Sequence, residues 1–131
     1  MEIPSTHIDI LDKKSFAHLC TLMADGSPQS SPVWVTRDGN TVVVNSAEGR
    51  VKDQNVKRDA RVAVSVTDPD NPYRALMIRG RVVRVETEGA DSVIDGLAKK
   101  YMDVDIYPFR QPGEVRVTYF IEPTRVSVMG Q

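Results

Sequence analysis

Residues 45–61 read NSAEGRVKDQNVKRDAR, and this stretch joins two β-patterned runs at residues 41–45 and 61–67. Gly49 supplies a turn after the first run, and the charged residues that follow it predict a short polar helix. The helix is expected to start near Val51. The stretch therefore predicts a strand, a turn, a helix and a second strand, around which the rest of the chain is organised.

Two cations lie at the predicted start of this helix, where they are electrostatically unfavourable. Unpaired backbone N–H groups make the local potential positive, so Arg50 and Lys52 each cost roughly 0.3–1 kcal/mol there. A phosphate or carboxylate would remove that cost, and Asn55 lies on the same helix face to add a hydrogen bond. The alternative is a solvated helix face on which Asp53 and Lys57 form an i,i+4 pair.

The composition indicates one soluble domain without a strong overall charge. The chain has 131 residues, of which 17 are basic and 18 acidic, and its formal net charge is −1. A near-neutral protein of this length argues against nucleic acid or an anionic membrane as a partner. No apolar run approaches the roughly 20 residues that span a bilayer, and the first residues lack a signal-peptide pattern. We therefore expect a cytoplasmic protein.

The sequence offers no evident catalytic group of its own. His7 and His18 have no further ligands at metal-binding spacing, so no metal site is expected. Cys20 is the single cysteine and excludes an intramolecular disulfide. No glycine-rich phosphate loop and no nucleophile motif is present, and no catalytic residue is assigned. An enzyme with this sequence would depend on a cofactor for its chemistry.

Alternating apolar residues predict a mainly β chain of six or seven antiparallel strands with two or three short helices. The predicted strands cover residues 16–24, 28–37, 41–45, 61–67, 73–86, 114–122 and 125–129. The predicted helices cover residues 6–13, a stretch from about residue 51, and residues 91–102. Short turns join the first three strands into a meander, and a sheet this long in a small domain is expected to close into a barrel.

Local features refine this prediction. Pro32 cannot donate to a strand ladder and indicates an edge or a bulge, while Gly80 is the expected bend of the long strand. Ser5 or Thr6 is expected to cap the first helix. Asp95 is expected to pair with Lys99 on the outer face of the last helix. The proline-rich segment at residues 103–112 is expected to be a surface loop that carries two aromatic residues.

Two groups of residues resemble one protein family. They are Gly49-Arg50-Val51-Lys52 with Asn55, Arg58-Asp59 and Arg61-Val62-Ala63, preceded by Asp25-Gly26-Ser27-Pro28 and Pro32-Val33-Trp34. Together they resemble the flavin and deazaflavin oxidoreductases of the pyridoxamine 5'-phosphate oxidase-like, FMN-binding split-barrel superfamily. More narrowly, they resemble the branch that depends on the deazaflavin coenzyme F420, also called factor 420. The resemblance covers residues 16–128.

The resemblance implies a Greek-key-like split β-barrel that forms a homodimer, with the cofactor at the subunit interface. It also implies an enzyme that transfers a hydride between coenzyme F420 and a small conjugated organic substrate. Lys52 matches the lysine that grips the cofactor phosphate, and Arg50 matches the cation beside it. Residues 45 and 46 match the strand end along the cofactor tail, and residues 31–33 match the strand along its ring. The expected cofactor-binding residues are Ser31, Pro32, Val33, Asn45, Ser46, Arg50, Val51, Lys52 and Asn55.

Two alternatives remain open at this point. FMN has a phosphate and nearly the same ring outline, so an FMN-dependent oxidoreductase or flavin reductase of the same fold would use the same anion site. A non-enzymatic flavin or haem binding protein is also compatible with the lack of acid and base residues. The sequence lacks the phosphate-site spacing and the basic C-terminal motif of true pyridoxamine 5'-phosphate oxidases, so vitamin-B6 oxidation is not expected.

The deazaflavin is preferred because its negative charge extends beyond one phosphate, over a phosphodiester and a tail of glutamate carboxylates. Dispersed cations suit such a ligand better than a single phosphate. These cations are Arg50, Lys52 and Arg58, together with Arg79 and Arg81 if the long strand passes the same groove.

Overall fold

Seven antiparallel strands form one sheet that curls into a half-barrel, as the sequence predicts. The computed structural model describes residues 1–131. The strands are β1 (Phe16–Leu22), β2 (Pro28–Trp34), β3 (Thr36–Asp38), β4 (Thr41–Ala47), β5 (Arg61–Asp68), β6 (Asn71–Glu86) and β7 (Arg116–Met129). The helices are α1 (Val51–Arg58), α2 (Ala90–Met102) and a short 3-10 helix over Ile8–Leu11. No helix is long and apolar enough to cross a membrane.

The strand order is β2-β1-β5-β6-β7-β4-β3. β1 and β2, β3 and β4, and β5 and β6 are hairpins, whereas β7 returns at the end of the chain to pair with β4. This return is the Greek-key-like step of the predicted fold. β2 lies at one end of the order, so one of its edges has no strand partner, which agrees with the expectation from Pro32.

The predicted second strand, and with it the predicted meander, is wrong at Val35. β2 pairs with β1 and β3 pairs with β4, so the chain passes from one hairpin to the other between Trp34 and Thr36. The buried Val35 N–H donates to the Tyr101 hydroxyl at 3.1 Å, and Lys100 Nζ donates to the Val35 carbonyl at 2.7 Å. Helix α2 supplies the partners that a strand ladder would supply. This contact is distant in sequence and has no local signal.

The N-terminal helix is shorter than predicted and lacks the expected cap. Only Ile8–Leu11 is helical, as a 3-10 helix, and neither Ser5 nor Thr6 caps it. The residue before it, His7, is 3% exposed, and its Nε2 donates to the Gly130 carbonyl at 3.1 Å. Contacts with distant parts of the chain, from His7 to Gly130 and from Arg74 to Asp9, anchor this segment where no side-chain cap is present.

The last two predicted strands are one continuous strand, β7. Gly80 pairs with Pro123 and Arg79 pairs with Arg125, so Thr124 bulges out of the ladder. The Thr124 hydroxyl donates to the Arg79 carbonyl at 3.0 Å. A Cβ at Gly80 would lie 2.5 Å from a backbone carbonyl of β7. The register of β6 against β7 shifts between Arg79 and Gly80, where the sequence predicts a bend, and the close approach of the two strands requires glycine at this position.

Candidate functional site

A groove lies where the free edge of β2 meets the first turn of α1. Its volume is about 260 Å³, and it also borders β4, α2 and the segment before β7. Its lining residues are Phe16, Pro32, Val33, Trp34, Asn45, Arg50, Lys52, Ile94, Tyr107, Phe109 and Arg116. We refer to it below as the basic groove.

Three cations converge at one end of the basic groove. Arg50 is the residue before α1, Lys52 lies in the first turn of the helix, and Arg116 begins β7. One carboxylate contacts two of them: Glu114 accepts from Arg116 Nη1 at 2.7 Å and lies 3.8 Å from Arg50 Nη2. Three cations against one carboxylate leave an excess of positive charge, which is the electrostatic requirement of an anion site.

Lys52 is the cation most affected by this crowding. Burial lowers the pKa of its ammonium group, and the positive charges of Arg50 and Arg116 lower that pKa further. A bound anion would raise the pKa of Lys52 again, because a nearby negative charge favours the protonated amine. A phosphate would therefore relieve an unfavourable interaction that is present in the free protein.

Arg116 is held from three sides. Its Nε donates to Asn45 Oδ1 at 2.9 Å, and the Asn45 amide in turn donates to the Ala90 carbonyl at 2.9 Å. Glu114 binds the other end of the guanidinium group. The guanidinium carbon also lies 5.1 Å from the centre of the Tyr107 ring, within the range of a cation–π interaction. Because Arg116 is only 4% exposed, its direction is fixed without a ligand.

A buried carboxylate fixes the turn before α1. Asp53 is 1% exposed and accepts from the Tyr119 hydroxyl at 2.6 Å, the Gly49 N–H at 3.0 Å and Lys57 Nζ at 3.0 Å. Burial by itself would raise the pKa of Asp53, but these donors outweigh burial and hold that pKa below its ordinary value. Gly49 has φ +87°, a backbone conformation that favours glycine. The turn that positions Arg50 and Lys52 is thus tied to the core.

Aromatic side chains form the other wall of the basic groove. Trp34 stacks on Tyr101 with ring centres 5.1 Å apart and planes 6° apart, and Tyr107 packs edge-on against Trp34 at 6.0 Å. Phe109 packs edge-on against Tyr107 at 5.7 Å. Asp95 anchors the loop that carries them by accepting from the Tyr107 N–H at 2.9 Å. Flat aromatic surface beside a cluster of cations suits a ligand with a planar ring and an anionic group.

The structure brings five of the nine predicted cofactor-binding residues into the basic groove: Pro32, Val33, Asn45, Arg50 and Lys52. Asn45 uses its side chain to hold Arg116 and Ala90, so within the groove it positions a cation.

The other four predicted residues lie nearby without lining the groove. Ser46 is fully buried on β4, Ser31 is half-buried on β2, and Val51 is 49% exposed at the first turn of α1. Asn55 is 1% exposed, and its amide donates to Thr21 Oγ1 at 3.0 Å. The hydrogen bond expected from its helix face is therefore used inside the protein.

Six groove residues were not among the predicted cofactor-binding residues: Phe16, Trp34, Ile94, Tyr107, Phe109 and Arg116. Arg116 had a usable signal, because Glu114 two residues earlier lies on the same side of an extended chain and could pair with it. Tyr107 and Phe109 were expected on a surface loop at residues 103–112. Nothing in the local sequence indicates that this loop folds back over the groove.

One further expectation about charged residues is wrong, and one condition is not met. Asp95 does not pair with Lys99: its carboxylate accepts from Arg110 Nη2 at 2.9 Å, and Lys99 pairs with Asp103 at 3.1 Å. The long strand does not pass the basic groove with its arginines. Arg79 and Arg81 line a different depression, on the outer face of the sheet.

Comparison with known proteins gives a family match. Residues 3–129 match the model of the family described as pyridoxamine 5'-phosphate oxidase. No curated protein matches the chain significantly.

Solved structures share the fold. A protein named F420 reductase is 31% identical at a TM-score of 0.84, covering 95% of this chain and 98% of that one. The conserved hypothetical protein Rv2991 from Mycobacterium tuberculosis is 19% identical at a TM-score of 0.78, covering 98% of this chain and 85% of that one. General Stress Protein 26 from Bacillus anthracis is 15% identical at a TM-score of 0.67, covering 92% and 88%. The last two support the fold alone. The family match over nearly the whole sequence shows that the chain belongs to the pyridoxamine 5'-phosphate oxidase-like split-barrel family, as its sequence predicts.

Proposed function

We propose that the protein is an oxidoreductase that holds coenzyme F420 in the basic groove and transfers a hydride between it and a small conjugated organic substrate. The convergence of Arg50, Lys52 and Arg116 beside an aromatic wall carries this proposal. The family match supports a flavin or deazaflavin oxidoreductase, and the 31% identity with a protein named F420 reductase favours the deazaflavin.

The donor set of the basic groove fits a phosphate-bearing ring system. Arg50 and Lys52 would bind the phosphate, and Arg116, already oriented by Asn45 and Glu114, adds a third positive charge. The bound coenzyme would supply the hydride chemistry, and the chain would supply binding, orientation and exclusion of water.

The ring would lie against the free edge of β2. Pro32 and Val33 line the groove on this strand, which has no further strand beyond it. Trp34, Tyr107 and Phe109 offer aromatic surface to the ring or to a conjugated substrate. None of these residues is assigned a catalytic role.

FMN is the second candidate, and the family match is the observation that favours it. The three cations would bind its phosphate equally well, so the two coenzymes differ mainly in how far their negative charge extends.

We further propose that a second copy of the chain completes the basic groove. At about 260 Å³ the groove is smaller than the roughly 300–1,000 Å³ typical of pockets that enclose a small ligand. Two of its lining residues are large and exposed, Phe16 at 61% and Phe109 at 56%. Apolar side chains around an open ligand groove are typical of a surface that a partner covers. We expect light scattering to give a dimer, and a stable monomer at micromolar concentration would contradict the shared groove.

Spectroscopic titration of the purified protein with coenzyme F420 and with FMN tests the proposed function. We expect the deazaflavin to bind more tightly, with an affinity that falls more steeply with ionic strength than that of FMN. Arg50→Ala and Lys52→Ala should each weaken binding by about 10- to 150-fold, since charge-assisted hydrogen bonds contribute about 1.5–3 kcal/mol.

Arg84→Ala is the matched control, because Arg84 pairs with Glu86 at 2.8 Å and lies outside the groove. Unchanged affinity of both groove variants for both coenzymes would exclude the basic groove as the cofactor site. Stoichiometric FMN retained through purification, with no response to the deazaflavin, would decide for FMN.

A further inference from the structure

Helix α2 packs on the sheet beside a pocket that the proposed function does not use. The pocket lies between α2 and the strands β3, β4 and β7, and its volume is about 390 Å³. Its apolar lining residues are Val43, Val93, Leu97 and Phe120. A volume of roughly 300–1,000 Å³ and apolar walls are typical of sites for small molecules. None of its residues lines the basic groove, and we refer to it as the α2 pocket.

Gly96 keeps the α2 pocket open. It lies in the interior of α2, where glycine destabilises a helix relative to alanine. Its φ is not positive, and a Cβ at this position would meet no neighbouring atom within 4 Å. Neither the backbone nor the packing of the helix therefore requires glycine. Because Gly96 lines the pocket, a larger side chain would occupy part of the space.

Lys100 places a positive charge at the same pocket, one helical turn after Gly96. Its Nζ donates to the Leu11 carbonyl at 2.7 Å and to the Val35 carbonyl at 2.7 Å. An ammonium group has three N–H donors, so one of them has no acceptor within the chain. Lys100 has no ion-pair partner, and burial lowers its pKa to about 8. The chain therefore holds this amine in place without neutralising the charge of its protonated form.

We propose that the α2 pocket binds a small apolar acid, whose hydrocarbon body lies against Val43, Leu97 and Phe120 and whose carboxylate accepts from Lys100. The apolar walls would remove the hydrocarbon body from water. The remaining N–H of Lys100 would form a charge-assisted hydrogen bond with the carboxylate, and the negative charge would stabilise the protonated amine. A neutral apolar molecule would contact the same walls but would leave the charge without a partner.

Two carboxylates of the chain lie near this site, and neither replaces the proposed ligand. Asp38 lines the pocket on β3, but it is exposed, so solvent screens its repulsion of an anion. Asp12 raises the pKa of Lys100, but Arg37 binds the Asp12 carboxylate at 2.9 Å. The lysine is therefore left without a carboxylate of its own.

The aromatic and cationic neighbours do not neutralise Lys100 either. The centre of the Tyr101 ring lies 4.9 Å from its Nζ, a contact that favours the protonated amine but supplies no anion. Arg84 lies over the Phe120 ring at 3.9 Å and pairs with Glu86 at 2.8 Å. Lys100 is therefore the group that would select an acid over a neutral ligand.

Titration followed by NMR compares hexanoate with hexan-1-ol, which has nearly the same apolar body and no charge. We expect the unmodified protein to bind hexanoate roughly tenfold more tightly than hexan-1-ol, and Lys100→Met should lose this preference. Lys99→Met is the matched control, because Lys99 is 59% exposed and pairs with Asp103 at 3.1 Å. Its affinity for both probes should be unchanged.

Gly96→Leu tests whether the pocket itself is the site. The leucine should fill the pocket and abolish the binding of both probes. The melting temperature should equal or exceed that of the unmodified protein, because glycine is removed from a helix interior. This variant leaves the hydrogen bonds of Lys100 intact, so it separates a loss of the site from a loss of the fold.

The pH dependence of binding checks the assigned charge. Hexanoate stays ionised at neutral and basic pH, because carboxylic acids titrate near pH ~4–5. Its affinity should therefore fall as pH rises above about 8, where Lys100 loses its proton in the free protein. The affinity for hexan-1-ol should not change with pH.

The proposal would be overturned if the unmodified protein did not bind hexanoate, if Lys99→Met lost as much affinity as Lys100→Met, or if Gly96→Leu kept full affinity. An equal loss in Lys52→Met would place the acid in the basic groove. A hexanoate affinity that stays constant through the pKa of Lys100 would exclude this lysine as the partner of the carboxylate. A lower melting temperature of Gly96→Leu would show that the glycine serves the packing of α2 and not a ligand.

Discussion

Lys13 and Lys52 are both partly buried lysines, but their surroundings have opposite effects on their charge. Lys13 Nζ donates to Asp68 at 2.9 Å and contacts Asp70 at 3.0 Å, and these carboxylates raise the pKa of Lys13. Lys52 has two cations and no carboxylate close to it, and its pKa is lowered by burial and by those charges. One lysine is stabilised by its neighbours, and the other is repelled by them.

The charged groups around Lys13 all pair with other groups of the same chain. Asp68 has a side chain 3% exposed and also accepts from Arg74 at 2.8 Å, while Arg74 binds Asp9 at 2.6 Å. Burial alone would raise the pKa of Asp68, but the Asp70 N–H, Lys13 and Arg74 lower it to about 2. The difference between the two clusters separates charges that are paired with carboxylates from charges that are crowded by other cations.

Asp68→Ala should give the largest effect and should act on stability alone. It removes the carboxylate that joins Lys13 to Arg74, and losing charge-assisted bonds at a buried position costs about 2–3 kcal/mol. The free energy of unfolding, measured by urea denaturation, should fall by this amount. Affinity for either coenzyme should not change, because the cluster lies outside the basic groove.

Asp70→Ala is the matched control for that prediction. Asp70 contacts the same lysine, but its side chain is 76% exposed, so its loss should cost less than about 1 kcal/mol. If the two variants lost equal amounts of unfolding free energy, burial of the carboxylate would not determine how much it contributes to stability.

Lys52→Met should show the reverse pattern, with a loss of about 2 kcal/mol in coenzyme binding, or roughly 30-fold in affinity. The methionine keeps the apolar stem of the side chain and removes a crowded charge, so the melting temperature should stay the same or rise. Spectroscopic titration and thermal unfolding of the same preparation measure both effects. A lower melting temperature with unchanged affinity would assign Lys52 to the fold and would erase the contrast with Lys13.

The central helix and its flanking strands could be predicted from the sequence because their signals are local. The glycine turn at Gly49, the polar run after Val51 and the alternation of β5 all lie within a few residues of one another. The proposed anion site rests on the same stretch, since two cations at a helix start are unfavourable without a ligand.

The rest of the site depends on contacts between residues that are distant in the chain. Arg116 faces Lys52 because β7 pairs with β4, and Tyr107 covers the groove because Asp95 anchors its loop. The interruption at Val35 depends on partners from α2, more than 60 residues later. A single sequence contains no information about such distant contacts. The local pattern therefore predicted that β2 continues through Val35, and it did not identify the aromatic wall of the groove.

Tyr119→Phe should have an intermediate effect, because it removes a structural contact beneath the proposed site. Asp53 would lose the donor at 2.6 Å and would keep the Gly49 N–H and Lys57. When a buried acceptor loses one hydrogen bond, the free energy of unfolding falls by about 1 kcal/mol. The turn before α1 would then be held less firmly, so coenzyme binding should weaken slightly. Tyr73→Phe is the control, since Tyr73 is 78% exposed. Full affinity at reduced stability would show that the turn keeps its position without this bond.

The smallest effect should be a pH dependence of opposite sign for the two lysines. The pKa of Lys52 in the folded protein lies below its ordinary value of 10.5, so its charge destabilises the fold at neutral pH. This penalty disappears as pH rises through the folded pKa towards 10.5, so the unmodified protein should gain stability relative to Lys52→Met. The pKa of Lys13 lies above 10.5, so its contribution is present below that pH and is lost as pH rises through the folded value. The unmodified protein should therefore lose stability relative to Lys13→Met in that range. Urea denaturation of the three proteins between neutral pH and pH ~11 measures both slopes, and slopes of the same sign would contradict the distinction between a satisfied and a crowded lysine.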